Sequence, residues 1–236
     1  MEESERVNNI AKNSLYAHGA SKPMIEYTVD VVKKFLKPNF KVLELGPAEG
    51  VATEKIFSIC KDLTLVEGSE AFAEKLKEKF PEVRIIISLF EDIKINEKFD
   101  FIVLGHVLEH VIDPVQILKK CKNLLKPNGK IFAAVPNSNS IHRQAAVLMG
   151  LLEKENSLNE LDIHHGHRRV YSISEFKNDF IKANLNVREL GGYWLKPVSN
   201  KQIEESWSSE MINAFMKLGE KYPEIAAEIY ILAGVL

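Results

Sequence analysis

The stretch that decides the fold is Val42-Leu43-Glu44-Leu45-Gly46-Pro47-Ala48-Glu49-Gly50, an apolar run that ends in a turn with two glycines. A helical segment, EKIFSICK, follows the turn. A short buried strand, a glycine turn and a helix are typical of the first unit of an α/β domain. Because ligands of open parallel sheets bind beyond the carboxyl ends of the strands, we expect this turn to contact a ligand. The alternative is a glycine turn that serves only chain packing.

Four more short apolar runs follow the turn, and helical segments separate them. They read LTLVEG, VRIIIS, FDFIVLG and KIFAAVP, the last after an Asn128-Gly129 turn. Near-continuous apolar strands that alternate with helices predict a parallel sheet covered on both faces. Upstream, residues 25–36 place apolar side chains at helical spacing and Pro38 ends the pattern, so residues 1–38 are predicted to form a helical cap.

Residues 137–173 break this alternation, since they are polar and rich in histidine. They are predicted to be an irregular insertion, or a lid, after the fifth strand. The pattern resumes with a helix over SEFKNDFIKAN, and the runs NVRELGGYWL and EIYILAGVL predict an antiparallel pair that closes the sheet. We therefore predict one doubly wound α/β domain over residues 1–236 with a mostly parallel, seven-stranded sheet. Its parts are the cap 1–38, the core 39–136, the insertion 137–173 and the C-terminal part 174–236.

Composition excludes several classes of protein. A net charge of −2 with 27% charged residues lacks the basic stripe of a nucleic-acid-binding domain. Cys60 and Cys121 give neither a disulfide framework nor a zinc spacing. No apolar run reaches the roughly 18 residues of a membrane span, and the polar, acidic start is unlike a signal peptide. We expect a cytoplasmic protein with no nucleic-acid or membrane partner, and a homodimer as the one candidate assembly.

Acidic residues indicate which ligand the turn would bind. Glu44 and Glu49 crowd it with negative charge, whereas a dinucleotide site would have a glycine at position 48 and a pyrophosphate at the helix N-terminus. The second strand ends at Glu67, where a carboxylate is placed to accept both hydroxyls of a ribose. The alternative for Glu67 is a solvated surface side chain. Together these residues favour a cationic ligand with a ribose over a diphosphate.

A longer ordered pattern lies in residues 99–137, FDFIVLGHVLEHVIDPVQILKKCKNLLKPNGKIFAAVPN. With Glu44, Gly46, Gly50 and Glu67 it resembles the class I S-adenosylmethionine-dependent methyltransferases, in the group that contains ubiquinone-biosynthesis-type enzymes. The likeness covers about residues 40–137 and includes Leu108-Glu109-His110, Asp113-Pro114, Lys126-Pro127-Asn128-Gly129 and Pro136-Asn137. Two departures are Ala48 at the middle glycine and Ser88-Leu89-Phe90-Glu91-Asp92 where relatives often have an adenine-contacting aspartate.

This resemblance implies S-adenosylmethionine as cofactor and S-adenosylhomocysteine as product. Phe90 is expected to pack against adenine, and the segment with Tyr16 and His18 is expected to fold over the cofactor as in relatives. His106 is expected either to contact the methionyl part or to act in the chemistry. The implied cofactor-binding residues are Glu44, Gly46, Pro47, Gly50, Glu67, Gly68, Leu89, Phe90, Gly105, His106, His110, Tyr16 and His18.

An oxygen acceptor must lose a proton, and histidine is the side chain whose pKa usually suits that task. The candidate catalytic residues are His106, which follows the fourth strand, and His167, His164 and His165 of the insertion. The candidate acceptor-binding residues are Asn137, Arg168, Arg169 and Tyr171, because arginine binds phosphate and carboxylate bidentately. The alternatives are a solvated basic loop and a metal site of Asp162, His164 and His167. We expect no metal.

The resulting prediction is a transferase that methylates an oxygen of a small polar, anionic acceptor. Relatives with a similar insertion suggest a sugar, a nucleotide-linked sugar or a phosphorylated metabolite of surface-polysaccharide biosynthesis, and a quinone precursor is the alternative. An NAD(P)-binding oxidoreductase is disfavoured by Ala48 and by the lack of a visible Tyr-x-x-x-Lys. A nucleic-acid or protein methyltransferase is disfavoured because Gly105-His106-Val107-Leu108 stands where amino-directed nucleic-acid methylases have Asn/Asp-Pro-Pro-Tyr/Phe. A non-catalytic cofactor-binding subunit is the remaining alternative.

Overall fold

The computed structural model describes residues 3–235, so residues 1, 2 and 236 of the predicted cap and C-terminal part lie outside it. Ten helices occur in the described range, and they are α1 Glu3–Lys12, α2 Ser21–Val32, α3 Val51–Ile59, α4 Glu70–Lys79, α5 Pro114–Asn123, α6 Ile141–Leu148, α7 Glu160–His165, α8 Ile173–Lys182, α9 Asn200–Ser206 and α10 Ser209–Gly219. The strands are β1 Lys41–Leu45, β2 Asp62–Glu67, β3 Arg84–Ile87, β4 Phe99–Gly105, β5 Leu125–Pro136, β6 Asn186–Tyr193 and β7 Glu228–Gly234. No helix in residues 3–235 is long and apolar enough to cross a membrane.

The strands form one seven-stranded sheet in the order β3-β2-β1-β4-β5-β7-β6. β1 to β5 run parallel, and β7 lies antiparallel between β5 and β6. The predicted α/β fold with a mostly parallel, seven-stranded sheet is confirmed. The strand order reverses direction at β1, since β2 lies on one side of it and β4 on the other. A crevice at this reversal is the usual ligand site of a doubly wound sheet.

The sheet is buried on both faces, which explains why its strands are nearly continuous apolar runs. Successive residues point to opposite faces, so Val42 belongs to one core cluster and Leu43 to the other. The same alternation holds in β4, where Phe101 and Ile102 enter different clusters. Burial of both faces fixes the register, because a slip of one residue would exchange the two faces.

Two local expectations were wrong. The helix before β1 ends at Val32 rather than at Leu36, and the following residues form tighter turns that still pack Phe35 and Leu36 against the core. The predicted Asn128-Gly129 turn is present within the bounds of β5, because the partners of β4 jump from Leu125 to Lys130 and Asn128 has φ of +65°. The insertion 137–173 is not irregular, because it contains α6 and α7.

Local hydrogen bonds order the insertion. Asn159 and Asp162 form a capping box at the start of α7, and Gly166 ends that helix in the left-handed conformation. The buried Arg143 of α6 donates to the Glu155 and Ser157 carbonyls and to Asp162 Oδ2 (3.1 Å), which ties α6 to α7. The insertion is therefore a fixed wall of the domain.

The turn after β1 depends on backbone conformations that favour glycine. Gly46 and Gly50 have φ of +68° and +74°, and Ala48 between them has φ of +48°. A Cβ on Gly50 would come within 2.6 Å of Phe80 Cε2, at the C-terminal end of α4. Gly50 is thus required where the start of α3 packs against α4.

We predict that Gly50→Ala destabilises the protein more than Gly150→Ala does. Both positions have positive φ, which costs an alanine about 1–2 kcal/mol, but a Cβ on Gly150 would meet nothing within 4 Å. The added clash with Phe80 should cost a further 1–3 kcal/mol or so, the usual range for overpacking. Urea denaturation of both variants measures the difference. Equal losses of unfolding free energy would show that the Phe80 contact is unimportant.

Candidate functional site

A cavity opens beyond the carboxyl ends of β1, β2 and β4, where the sheet topology places a ligand site. Helices α1 and α2 cover it on one side, and the insertion and the start of β7 form the other side. The cavity joins the turn after β1 to a second region that contains histidines and Lys196. One space therefore reaches both the predicted cofactor residues and part of the insertion.

Most of the predicted cofactor-binding residues line this cavity, and two do not. Gly50 faces Phe80 and Leu76, so it shapes the turn from outside the cavity. His18 is exposed on the segment between α1 and α2 and also lies outside the cavity lining. The predicted residues in the lining are Tyr16, Glu44, Gly46, Pro47, Glu67, Gly68, Leu89, Phe90, Gly105, His106 and His110.

The Glu67 carboxylate is held by the backbone. The Ser69 N–H donates to Oε1 (2.8 Å) and the Ala48 N–H donates to Oε2 (3.2 Å). Glu67 is only 6% exposed, and its burial raises the pKa of the carboxyl group while these N–H donors oppose the shift. The interpretation of Glu67 as a surface side chain was wrong. Each oxygen keeps a second lone pair that can accept a further hydrogen bond.

Glu44 and Glu49 add acidic character to the same end of the cavity. Burial raises the pKa of Glu44 to about 7, although the Thr53 hydroxyl donates to its Oε2 (2.9 Å). Within the described residues, the buried Oε2 of Glu49 has no hydrogen-bond partner. Carboxylates that lack partners in a cavity suit a ligand that brings positive charge or hydroxyl donors.

His106 has the left-handed backbone conformation, with φ of +58°, immediately after β4. Its N–H donates to the Ala134 carbonyl (2.9 Å), which fixes this backbone against β5. Nδ1 lies 3.3 Å from Glu109 Oε1 and 3.8 Å from Glu228 Oε2, and Nε2 lies 3.4 Å from the Tyr193 hydroxyl. Burial lowers the pKa of His106, but the two carboxylates outweigh it and the net shift is upward. A strained non-glycine residue in a cavity is typical of a functional site.

A second group of side chains surrounds the fully buried Glu109. The ligand atoms of Glu109, His110 and His167 lie within 4.8 Å of one another, and these residue types can hold a metal ion. Burial would raise the pKa of Glu109, but the neighbouring histidines lower it to about 2. Burial lowers the pKa of His110 to about 3, so its imidazole is neutral at pH 7. The proposed triple of Asp162, His164 and His167 does not form, because His164 is exposed and its Nε2 lies 2.9 Å from the Asn13 carbonyl.

The insertion supplies fewer acceptor contacts than the sequence suggested. Arg168 donates to the His110 carbonyl and to Glu3, and Arg169 donates to the carbonyls of Leu108, Val111 and Ile112. The Tyr171 hydroxyl is buried against Asp179 Oδ2 (3.1 Å). These three residues and His164 lie outside the cavity lining. The reason is that backbone carbonyls after β4 need donors, and the insertion provides them.

Three other predicted residues of this region do line the cavity. The Asn137 side chain is fully buried, and it bonds the backbone of residues 139, 224 and 226 rather than pointing free groups at a ligand. His165 stacks on Tyr16 with ring centroids 4.7 Å apart, and burial lowers the pKa of His165 to about 4. His167 Nδ1 lies 3.1 Å from Asp162 Oδ1.

Sequence reasoning missed the polar residues that the C-terminal part brings to the cavity. Lys196 is 9% exposed, its Nζ donates to Asn200 Oδ1 (2.7 Å), and it lies 4.9 Å from the centroid of the Trp194 ring. Burial lowers the pKa of Lys196 to about 8 and raises that of Glu228 to about 7. Trp194 Nε1, Glu228 Oε2 and His142 Nδ1 are buried without hydrogen-bond partners in residues 3–235. No motif marks these positions, and only their adjacency to the last two strands could have drawn attention to them.

Comparisons with known proteins agree with this arrangement. A family model described as a methyltransferase domain matches residues 16–190. A ubiquinone biosynthesis O-methyltransferase of Actinobacillus pleuropneumoniae serotype 7 (strain AP76) is 28% identical over 172 residues, which cover 68% of this chain and 72% of that protein. The methyltransferase solved with the Haloferax volcanii Trm112 activator covers 100% of this chain and 98% of its own at 14% identity, with a TM-score of 0.68.

A further solved structure shows the same fold with a bound cofactor product. The N-methyltransferase NodS of Bradyrhizobium japonicum WM9, in complex with S-adenosylhomocysteine, is 12% identical, covers 98% of each chain and has a TM-score of 0.63. At such identities the solved structures establish the common fold, and the family match identifies the domain. This chain therefore belongs to the methyltransferase-domain family and is an S-adenosylmethionine-dependent methyltransferase.

Proposed function

We propose that this enzyme transfers the methyl group to an oxygen atom of a small polar acceptor that carries an anionic group. The observation that carries this proposal is the continuity of one cavity from the acidic turn after β1 to the buried ammonium group of Lys196. The first end suits a cationic, hydroxyl-bearing cofactor and the second suits an anion. The histidines between them lie where the two ligands would meet.

The residues at the acidic end fit S-adenosylmethionine. Glu67, fixed by two backbone N–H groups, would hold the ribose hydroxyls, and the unpartnered Glu49 oxygen would face positive charge or donors. Phe90 and Leu89 would pack against the adenine, and Gly46 leaves room beside Val107 and Phe90. When bound, the cofactor supplies an activated methyl group on a sulfonium. Tyr16 closes this end through its stacking on His165.

Lys196 would recognise the acceptor's anion in place of the predicted Arg168 and Arg169. Its Nζ donates to the neutral amide of Asn200, and within residues 3–235 no ion pair with a carboxylate involves it. The unpartnered Trp194 Nε1–H is a second donor in the same lining. A phosphate or carboxylate placed there would satisfy both groups. Sugars, nucleotide-linked sugars and phosphorylated metabolites contain such anions beside methylatable hydroxyls.

His106 is the side chain we propose as the acceptor's base, ahead of His167. It lies directly after β4, between the cofactor end and the Lys196 end, and its backbone holds it in a fixed position. The Glu109 and Glu228 carboxylates near Nδ1 would orient the ring, and Nε2, which lies 3.4 Å from the Tyr193 hydroxyl, would take the proton. The rest of the rate enhancement would come from alignment of the two reactants, which can supply roughly 7–11 kcal/mol.

A phenolic quinone precursor is the second candidate acceptor. Its support is the similarity of this chain to a ubiquinone biosynthesis O-methyltransferase of Actinobacillus pleuropneumoniae. The ring of a phenol carboxylate would pack against aromatic side chains of the cavity lining, and its carboxylate would pair with Lys196. A phenol without an acidic group would leave the buried ammonium unpaired.

A panel of matched acceptor pairs tests the proposal. Each pair contains a hydroxyl compound with a phosphate or carboxylate and the analogue that lacks it, and release of S-adenosylhomocysteine is the readout. The panel covers three classes of acceptor, which are sugar phosphates, nucleotide-linked sugars and phenol carboxylates. We expect turnover with the anionic member of at least one pair. Consistent preference for the neutral members would contradict the anionic acceptor, and calorimetric binding of NAD without S-adenosylmethionine would contradict the enzyme class.

We predict that Glu67→Ala weakens S-adenosylmethionine binding by about 1.5–3 kcal/mol, the usual contribution of hydrogen bonds to a charged group. Glu67→Gln should lose less, because its amide oxygen can still accept. Isothermal titration calorimetry measures the affinities, and the exposed Glu70→Ala at the start of α4 is the control. Unchanged affinity in Glu67→Ala would mean that Glu67 only braces the turn.

We predict that the acceptor KM depends on the charge of Lys196. Because its pKa is lowered to about 8, the ammonium is present below that pH and is lost as the pH rises through it. In the parent enzyme the acceptor KM should rise above pH 8 while cofactor affinity stays constant. Lys196→Met should raise KM at pH 7 by tenfold or more, since hydrogen bonds to charged groups contribute roughly 1.5–3 kcal/mol, and should flatten its pH dependence. A pH-dependent KM that persists in Lys196→Met would exclude this role.

We predict that His106→Asn lowers kcat by roughly 10²–10⁴, the usual contribution of a general base, with little change in S-adenosylhomocysteine affinity. Asparagine is chosen because it tolerates the left-handed backbone that position 106 requires. His164→Asn is the matched control, and because His164 lies outside the cavity its kcat should stay within a few-fold of the parent. Equal kcat values for parent and His106→Asn would remove His106 as the base.

A further inference from the structure

We propose that Glu109, His110 and His167 form a binding site for one divalent transition-metal ion at the wall of the cavity. Their ligand atoms lie within 4.8 Å of one another, and two of the three residues line the cavity. Glu109 and His110 follow β4, whereas His167 belongs to the insertion, so the site joins two parts of the fold. The steps below concern the binding of the ion, which does not depend on the proposed acceptor.

Both histidines already have the tautomer that a metal ligand needs. His110 Nδ1 lies 3.3 Å from the Gly166 carbonyl, which can only accept, so Nδ1 carries the proton. His167 Nδ1 lies 3.1 Å from Asp162 Oδ1, which also accepts. His167 Nε2 keeps its lone pair. His110 Nε2 lies 3.4 Å from the Tyr16 hydroxyl, but that hydroxyl donates to the His165 carbonyl (3.3 Å), which leaves the Nε2 lone pair available to an ion. Donation from the second nitrogen to a carbonyl or carboxylate is the pattern that orients metal-bound histidines in known sites.

The Asp162 carboxylate, which orients the His167 ring, is itself held in place by hydrogen bonds. Its Oδ2 accepts from the buried Arg143 (3.1 Å) and from the Asn159 N–H (3.0 Å). The carboxylate therefore cannot turn away from His167 without breaking the cap of α7. A structural histidine on a loop would need no such bracing.

Glu109 supplies the negative charge. It is fully buried, and neither of its oxygens has a hydrogen-bond partner in the described part of the chain. An isolated buried carboxylate is strongly unfavourable, so a cation must compensate it. The protein offers one alternative, a protonated His106, whose Nδ1 lies 3.3 Å from Oε1. The experiment below distinguishes that ion pair from a bound metal.

Two imidazoles and one carboxylate select the class of metal. Imidazole suits Zn²⁺ and its neighbours in the first transition row, whereas Mg²⁺ and Ca²⁺ prefer shells of oxygen. Tetrahedral zinc with bonds of about 2.0–2.1 Å places its ligand atoms roughly 3.4 Å apart. His110 Nε2 is 4.0 Å from Glu109 Oε1 and all three ligand atoms lie within 4.8 Å of one another, so side-chain rotations of about 1 Å would bring them to these separations.

Three protein ligands leave at least one coordination position open, as in catalytic zinc sites. Since His110 and His167 line the cavity, that position would face the acceptor. An ion there would lower the pKa of an acceptor hydroxyl, and the proton released would pass to His106. This role, unlike the binding of the ion, rests on the proposed function.

Calorimetric titration of the chelator-treated, desalted enzyme with Zn²⁺ tests the site. We expect one zinc per chain, and an affinity at least tenfold lower in Glu109→Gln and His167→Ala. Asp162→Asn should lose 10–100-fold, the usual effect of removing a carboxylate that orients a metal-bound histidine. His164→Ala is the matched control, because this exposed histidine lies near the insertion wall but outside the cluster. Its zinc affinity should equal the parent's.

Binding of S-adenosylhomocysteine checks that each variant is folded, and Co²⁺ absorption supplies a second measurement. Tetrahedral Co²⁺ bands that appear in the parent and vanish in His167→Ala support the site, even where Glu109→Gln does not fold. No stoichiometric zinc in the parent, or equal affinity in the parent and the folded variants, overturns it in favour of the Glu109–His106 ion pair.

Methyl transfer that persists unchanged in EDTA together with absent zinc binding refutes the metal and leaves the methyltransferase proposal intact. Zinc binding without methyl transfer to any acceptor of the panel supports the site and counts against the proposed acceptor.

Discussion

The cavity depends on two backbone N–H groups that hold the Glu67 carboxylate where the sheet reverses direction. One belongs to the turn after β1 and the other to the turn after β2, so a single side chain links two adjacent loops. The turn after β1 is tied to its neighbours at two further points, since the Gly46 N–H donates to the Val66 carbonyl (3.0 Å) and Gly50 packs against Phe80. The left-handed conformations of Gly46 and Gly50 shape the same turn, which leads from β1 into α3. The fold thus holds the Glu67 carboxylate in a fixed position in the cavity lining.

Several charged side chains in and beside the cavity are buried in ways that lower the stability of the folded protein. Glu109 and Glu228 are buried and share one close partner, His106, whose Nδ1 lies 3.3 and 3.8 Å from their oxygens, while Lys196 is buried against the neutral amide of Asn200. His106 also has a left-handed backbone. Each feature is unfavourable for folding alone. They persist because the two core clusters on either face of the sheet stabilise the domain independently of them. Concentration of such features in one cavity is what distinguishes a functional site from a structural ion-pair network.

The strands, their order of appearance and the acidic turn could be predicted from sequence, because each depends on local patterns such as apolar runs, Glu67 after a strand and glycines in a turn. The direction in which a side chain points could not. Gly46 and Gly50 look alike in the sequence, yet one faces the cavity and the other faces Phe80. Lys196 follows β6 without any motif, and its importance arises only when β7 brings Glu228 beside the cavity. Such long-range placement is set by the sheet topology, and sequence patterns do not report it.

The basic run of the insertion makes backbone contacts that the sequence did not predict. Arg168 and Arg169 were expected to bind an anion, but they donate to carbonyls of residues 108–112, and the Arg168 N–H also donates to the Glu109 carbonyl (2.8 Å). These bonds fasten the insertion to the segment after β4. His167 immediately precedes them, so the same bonds hold its ring against His110, with ring centroids 4.8 Å apart. The arginines satisfy backbone carbonyls, and in doing so they fix the relative positions of the histidines and Glu109.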